Sequence, residues 1–352
     1  INNLVKYQKH KEIKEIEKKV SSVLSESKII ESWEISDRYF INIKISLSDL
    51  INSINPIDNY LKSNKKEKII IDYGGPNIGK PLHVGHLRSL NIGRSLYKIN
   101  KFVGNDVVSD IHLGDWGMQI AQILAFCQNQ KIDIDTLDAR KLLTIYPEAA
   151  SLYKKDENFA KAAKEINKKL NDSNLEEIKK WKKIKKISED SLKDTLAVLN
   201  HSFDLWLGES DVNNLIPKMI NDLKKNNKVK LDNEALVSTE KTDPPILITK
   251  SDGSYLYLTT DLATIIYRLN NIDFDKILYV VDNRQKLHFQ QLFQSIKYFE
   301  FPNKEYAHVE FGTVNDEEGN PFRTRDGDTK LLSELYEETY NYIKKINKNL
   351  DD

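Results

Sequence analysis

Residues 68–88 read KIIIDYGGPNIGKPLHVGHLR. The opening KIIIDY (68–73) has the length and apolar content of a strand buried in a parallel sheet. A loop rich in glycine and proline follows. From His83 onward, HVGHLRSLNIGRSLYKIN carries helical periodicity. Downstream, NDVVSDI is a second apolar strand, HLGDWG a loop and MQIAQILAFC a helix. Strand, loop, helix, repeated, predicts right-handed crossovers and a parallel sheet.

The loop suggests chemistry. If the helix begins near His83, then His83 and His86 share one face of its first turn. Unpaired N–H groups and the positive end of the helix dipole make that turn an anion site. Imidazoles placed there can donate to negative charge as it develops in a transition state. Gly85, between them, lets a flat ligand lie against the backbone, and Gly74, Gly75 and Gly79 permit tight turns. A polyphosphate here obeys the rule that open parallel sheets bind ligands beyond the C-terminal ends of their strands. On these residues alone two other readings stay open. HxGH arises by chance, and paired histidines can hold a metal, although no third ligand is in sight.

Composition narrows the classes. The chain has 352 residues, enough for about two or three domains and for a core that hides roughly three quarters of the unfolded surface. The formal net charge is zero, so any RNA contact must come from local patches rather than a global basic field. A single cysteine, Cys127, excludes an internal disulfide and a multi-cysteine zinc site, and fits a reducing, cytoplasmic compartment. There is no apolar run of about 18 residues and no signal peptide, so no membrane association is expected. The chain opens on Ile1 and closes on the helical pattern SELYEETYNYIKKINKNLDD; both ends read as cuts in a longer protein.

Around this nucleus, residues 4–35 carry helix-period apolar positions. YFINIKIS then alternates, with Ile41, Ile43 and Ile45 on one face and Phe40, Asn42 and Lys44 on the other. That second face could touch RNA or be the outer face of a half-buried strand. The stretch around Pro56 reads as a linker. From about 130 to 230 the pattern is helical and lysine-rich, without convincing strands. There KKWKKIKK (179–186) could grip phosphates or be a solvated helix face. Strands return with ILITK and YLYL flanking SDGS; TDLATIIYRL is helical with Thr260 as N-cap. KILYVV is a strand, LHFQQLFQSIKYF a helix and HVEFGTV a strand.

Five segments occur in order: PNIGKPLHVGHLRS, HLGDWGMQ, DGSYLYLTTDLA, LYVVDNRQKLHFQQLF and HVEFGTVNDEEGNPFRTRDG. Together they resemble the arginyl-tRNA synthetases, class I aminoacyl-tRNA synthetases, from about residue 36 to the end. The resemblance implies a Rossmann-like, parallel-sheet α/β catalytic domain with a helical insertion and a partial α+β N-terminal domain. It implies that His83, Gly85 and His86 form the HIGH signature that binds ATP and serves adenylate formation. Asn77 matches the asparagine that holds the amino acid near its carboxylate. Asp72 falls where the family has an acidic residue facing the arginine. Tyr257 and Asp261 match the pair that reads the guanidinium, and Gln285 a glutamine lining the same pocket. A planar, permanently charged guanidinium suits carboxylates able to accept paired hydrogen bonds. Taken singly, Asp261 also reads as a helix cap and Tyr257 as a core aromatic. Asp115 and Trp116 of HLGDWG match a family signature and receive a structural role: a tight turn at Gly114 and Gly117, with Trp116 buried.

The chain departs from the family at its KMSKS-like loop, GNPFRTRDGD, where Asn320 and Arg323 replace lysines and Arg325 is kept. Arg323 and Arg325 remain able to contact polyphosphate, and Lys80, just before HxGH, is the candidate for the missing charge; a surface lysine is the alternative. The resemblance also places Phe40 and Asn42 near positions that contact tRNA. It implies ATP, Mg²⁺, L-arginine and tRNA(Arg) as cofactors and partners, with no protein-bound metal, and a monomer is expected. The expected divisions are 1–60 (partial N-terminal domain), 61–130 (first catalytic half), 131–245 (mainly helical insertion) and 246–352 (second catalytic half). The anticodon-binding domain, which in the family follows the last of these, is expected to be absent from this chain. Two alternatives stand beside this reading: another HxGH nucleotidyltransferase, and an inactive paralogue that binds arginine or tRNA.

Overall fold

A computed structural model describes residues 10–27, 29–35, 40–54, 66–251, 253–313 and 331–347. They fall into two units, Ile1–Lys65 and Lys66–Asp352. In the first, helix α1 (His10–Glu26) precedes an antiparallel hairpin, β1 (Ile30–Ile35) and β2 (Ile41–Ile45), and helix α2 (Leu47–Ile54). The helical periodicity expected over 4–35 therefore stops at residue 26. IESWEI forms a strand because Trp33 and Ile35, two residues apart on one face, pair with Ile43 and Ile41. On β2, Nδ2 of Asn42 donates to Glu34 Oε1 at 2.9 Å and Lys44 to Glu31 at 2.7 Å.

The second unit runs β3 (Lys68–Tyr73), α3 (Val84–Phe102), β4 (Asp106–Asp110), α4 (Met118–Asn129), α5 (Ala139–Lys155), α6 (Glu157–Asn171), α7 (Leu175–Val198), α8 (Glu209–Val212), α9 (Ile216–Lys225), β5 (Val229–Asp232), β6 (Ala235–Ser238), β7 (Leu247–Thr249), α10 (Tyr257–Asn271), β8 (Lys276–Asp282), α11 (Lys286–Tyr298), β9 (Glu305–Phe311) and α12 (Leu332–Ile346). The central sheet has the order β4-β3-β8-β9, and every pairing is parallel. From β3 the chain winds through α3 to β4 on one side; from β8 it winds through α11 to β9 on the other. The order thus reverses between β3 and β8, and the crevice beyond their C-terminal ends is the topological switch point where ligands bind in such sheets.

The alternation of β3 builds a core on each face of the sheet. Ile69, Ile71 and Tyr73 join a cluster with Leu90, Ile120 and Ile184; Ile70 joins Leu262, Ile265 and Leu292 on the other face. Each fully buried aliphatic side chain contributes about 1.5–3 kcal/mol. Asp72 follows Ile70 onto the second face and is itself buried. No helix among the described residues is long and apolar enough to cross a membrane.

Beyond the lysine-rich stretch read as strand-free to about 230, β5 and β6 form a hairpin that the sequence reading did not name, and β7, from ILITK, adds to it as a third antiparallel strand. The turn residues Asn233 and Glu234 both have positive φ, 46° and 66°. That is the conformation of a two-residue hairpin turn, without the Asn-Gly pair that would have announced it. YLYL is not a strand: Tyr255 makes one bridge to Thr249 and Tyr257 already begins α10. Leu258, Leu262 and Ile265 are buried on that helix at helical spacing, which decides its start. Thr260 therefore lies inside the helix, its Oγ1 donating to Tyr257 O at 2.8 Å, and Leu256 is the N-cap.

Candidate functional site

The β3 loop delivers the chain to the N-terminus of α3. His83 is the N-cap: its Nδ1 accepts from Gly85 N at 3.0 Å, while His86 Nδ1 accepts from His83 N at 3.1 Å. The two rings lie 3.9 Å apart between centroids. A Cβ on residue 85 would sit 2.7 Å from the His83 ring, so glycine is what lets the ring fold back over the turn. Burial, reinforced by the Lys80 charge, holds His83 down at about 4; burial, then His83 and Lys80, hold His86 at about 3. Both rings are neutral at pH 7. With each Nδ1 accepting, each proton sits on Nε2. The turn therefore carries two neutral N–H donors beside the helix dipole.

HLGDWG closes over this loop. Gly114 N donates to Pro76 O at 3.0 Å and Ile78 N to Gly114 O at 3.1 Å. A Cβ at 114 would fall 1.9 Å from Asn77 Oδ1, so the Asn77 amide occupies the space that glycine vacates. Asp115 is fully buried. Its carboxylate accepts from Ser210 N (2.8 Å), Ser210 Oγ (2.6 Å) and Lys185 Nζ (2.5 Å). Asp115 thereby ties α7 and α8 to the sheet and fixes the neighbouring Glu209. Trp116 is half-buried, meets Trp181 edge-on at 5.1 Å, and donates from Nε1 to Asn171 at 2.9 Å. Of KKWKKIKK, Trp181 and Ile184 point into the core, Lys185 serves Asp115, and Lys180, Lys183 and Lys186 pair with Glu176, Asp135 and Asp190. A 380 Å³ hollow lined by Lys131, Lys179 and Lys183 lies in this insertion, and none of the residues expected to bind substrate line it.

On the β8 side, Tyr257 and Asp261 occupy successive turns of α10, four residues apart and so on one face. Tyr257 is 74% exposed. Asp261 Oδ2 accepts from His288 Nε2 at 2.6 Å. Glu209, half-buried at the start of α8, lies in the fields of His112, Asp115 and Asp261; burial pushes its carboxyl up to about 7. Gln285 caps α11 and is exposed, directly beyond β8.

Asp72 has a partner within the chain. Its Oδ2 accepts from Arg268 Nη2 at 2.5 Å, and Asp110 Oδ2 accepts from the same nitrogen at 2.6 Å. Arg268 and Asp110 are wholly buried, with Tyr279 Oη 3.5 Å from Arg268 Nη1 and His112 Nδ1 3.8 Å from Asp110. Burial raises Asp72 despite Arg268. For Asp110, the His112 and Arg268 interactions outweigh burial and hold it well below the carboxylate range. Asp72 is thus already bound to a resident guanidinium.

Lys80 places its ammonium over the Tyr146 ring, 4.3 Å from the centroid, close enough to act on both histidines. Asn320, Arg323 and Arg325 lie outside the described residues. The flanks of that segment are anchored on α3 and the turn before it: Arg88 Nη1 donates to Gly312 O (2.6 Å) and Thr313 O (3.0 Å), and Leu332 N donates to Leu82 O (3.0 Å). Phe40 (43% exposed) and Asn42 belong to the other unit.

Glu209, His112, Arg268 and His288 escaped the sequence reading. Glu209 falls within the long segment read as helical, and only the Gly-Glu-Ser turn of LGESDV marked a break there. Arg268 reads as an ordinary polar position of an amphipathic helix.

Comparison with known proteins places this arrangement. The family of class I tRNA synthetases (R), catalytic domain, matches residues 50–352, and the chain belongs to it. It is 36% identical to the arginine–tRNA ligase of Agathobacter rectalis over 374 residues, covering 96% of this chain and 63% of that protein. The arginine–tRNA ligase of Francisella tularensis subsp. novicida is also 36% identical, over 90% of this chain and 58% of its own length. The chain thus spans about three fifths of these relatives. In fold it is similar to arginyl-tRNA synthetase from Plasmodium falciparum (TM-score 0.62, 24% identity, 94% of this chain and 60% of that one) and from Thermus thermophilus (TM-score 0.65, 19% identity, 96% and 65%).

Proposed function

We propose that the chain carries the catalytic site for joining L-arginine to tRNA(Arg) at the expense of ATP. The arginine carboxylate attacks the α-phosphorus of ATP, the bond from that phosphorus to the α,β-bridging oxygen breaks, and arginyl-adenylate and pyrophosphate form. A terminal ribose hydroxyl of the tRNA then displaces AMP. The observation that carries this reading is the meeting of opposite chemistries at one switch point: neutral donors at the α3 N-terminus for phosphate, and the carboxylates of Asp261 and Glu209 for a cation. In-line displacement asks for positioning and charge stabilisation more than covalent help. His83 and His86 supply Nε2–H donors to phosphoryl oxygens, and Gly85 makes the room in which the His83 ring is held over the turn. Lys80, with Arg323 and Arg325, supplies the cationic charge that the altered KMSKS-like loop lacks in lysine. Asn77 orients the substrate's α-carboxylate, Gln285 lines the amino-acid pocket, and Phe40 with Asn42 meets the tRNA.

Mg²⁺ is expected to travel with the ATP phosphates. Among the described residues no cluster of three or more His, Cys, Asp or Glu could hold an ion, so no step is assigned to a protein-held metal. On the single cysteine and the pattern of the sequence, we assign the chain to a cytoplasmic translation enzyme working as a monomer, with divisions near residues 60, 130 and 245.

Transfer of labelled arginine, but not lysine, to an arginine-accepting tRNA in the presence of ATP tests the reading. Absence of both this transfer and tRNA-supported, arginine-dependent pyrophosphate exchange overturns it. A second expectation follows from Glu209. An arriving guanidinium favours its carboxylate, lowers its pKa from about 7 and releases a proton, so arginine affinity rises with pH through that region. Calorimetry in buffers of different ionisation enthalpy is expected to show release near pH 7 in the wild type and none in Glu209→Gln. Equal proton counts in the two would remove Glu209 from the pocket.

A further inference from the structure

Asp261 is held from behind. Its Oδ2 takes the 2.6 Å hydrogen bond from His288 Nε2; a carboxylate only accepts, so that nitrogen carries the proton. The two side chains come from different helices, α10 and α11, and are 31% and 24% exposed. They meet at the rim of the crevice, where a ligand has access. The imidazole is itself braced. Its ring stands edge-on to Phe289 (5.3 Å between centroids), and Phe289 is buried and stacked on His308 at 4.4 Å. The His308 Nε2 lies 2.9 Å from Val281 O and donates to it. The brace therefore runs from Asp261 into β8 and β9. Among the described residues no protein group bonds the other oxygen, Oδ1.

We propose that His288 is the positioning residue of the guanidinium pocket: it fixes Asp261 through Oδ2 and presents Oδ1 as the acceptor for the substrate. The inference rests on the arginine reading above. A carboxylate's terminal torsion is broad and nearly two-fold, so without His288 the acceptor loses its direction. A planar guanidinium depends on that direction. With Oδ2 already accepting from His288, Oδ1 is the oxygen with its full acceptor capacity turned to the substrate, and Glu209 and the Tyr257 hydroxyl offer further acceptors for the guanidinium N–H groups.

The test is calorimetric titration of L-arginine into the 352-residue chain and its variants, with thermal unfolding recorded for each. A hydrogen bond to a charged group is worth enough that His288→Leu is expected to weaken arginine roughly 10- to 100-fold. His288→Gln, whose amide can donate to the same oxygen, is expected to bind within about 3-fold of wild type. His288→Glu has the size of glutamine but cannot donate when ionised, and must lose arginine whatever the stability of the leucine variant. Wild-type affinity in His288→Leu and His288→Glu overturns the inference, as does equal loss in all three variants, which would make the role one of packing. Asp261→Ala separates the two levels. If it loses arginine while His288→Leu does not, only the inference falls. If it binds like wild type, or the wild type binds arginine neither alone nor with tRNA and an ATP analogue present, the arginine reading falls and takes the inference with it.

Discussion

Replacing Arg268 by methionine is expected to destabilise the second unit by about 3–5 kcal/mol, the usual cost of removing one partner from a buried ion pair. The guanidinium is wholly buried, and one of its nitrogens serves both Asp72 and Asp110. Those carboxylates sit on adjacent strands, paired in register across β3 and β4. Without the cation, two like charges remain in the interior; one must take up a proton or the packing must open to water. Urea unfolding of the wild type and Arg268→Met measures the loss. Adding Asp72→Asn and Asp110→Asn removes the orphaned charge, so the triple variant is expected to regain a large part of it. A single-variant loss below about 1 kcal/mol, the scale of a surface pair, would show that the cluster is not dry.

Asp261→Ala is expected to have the largest effect on binding. Truncating one partner of a desolvated charge pair costs about 2–5 kcal/mol, or roughly 30- to several-thousand-fold in arginine affinity. The reason lies in the division of labour among the carboxylates. Asp72 is neutralised by Arg268, and Glu209, with its carboxyl near 7, is only partly charged at neutral pH. Asp261 supplies the most direct counter-charge. Citrulline, which has the same outline but no charge, is expected to bind the wild type far more weakly than arginine, because it leaves Asp261 unpaired. Equal affinity of the wild type for arginine and citrulline would withdraw that role from Asp261. Titration calorimetry with both ligands decides it.

Much of the architecture was legible locally. KIIIDY, NDVVSDI and KILYVV are apolar runs that only a two-faced parallel sheet can bury, and all three lie in the central sheet. The HxGH helix start was readable too, because a cap is settled within one turn: His83 and His86 bond the backbone two and three residues away. Where a preference was weak, packing overruled it. YLYL has the residues of a strand, but burying Leu258, Leu262 and Ile265 on one stripe makes it a helix. The hairpin of β5 and β6 lacks its customary turn residues and is held by pairing along its length. The charge partners lay beyond local patterning altogether. Asp72, which the resemblance sets facing the substrate, also holds a guanidinium from within the chain, that of Arg268, 196 positions along. Asp261 meets His288 across 27 positions, and Glu209 reaches the crevice because Asp115 clasps the Ser210 turn from 95 positions away. Period and capping act over one or two turns of chain, so composition and order reveal them. Which cation neutralises which carboxylate depends on distances of a few ångströms between remote segments, and only the closed sheet with its helices in place sets those.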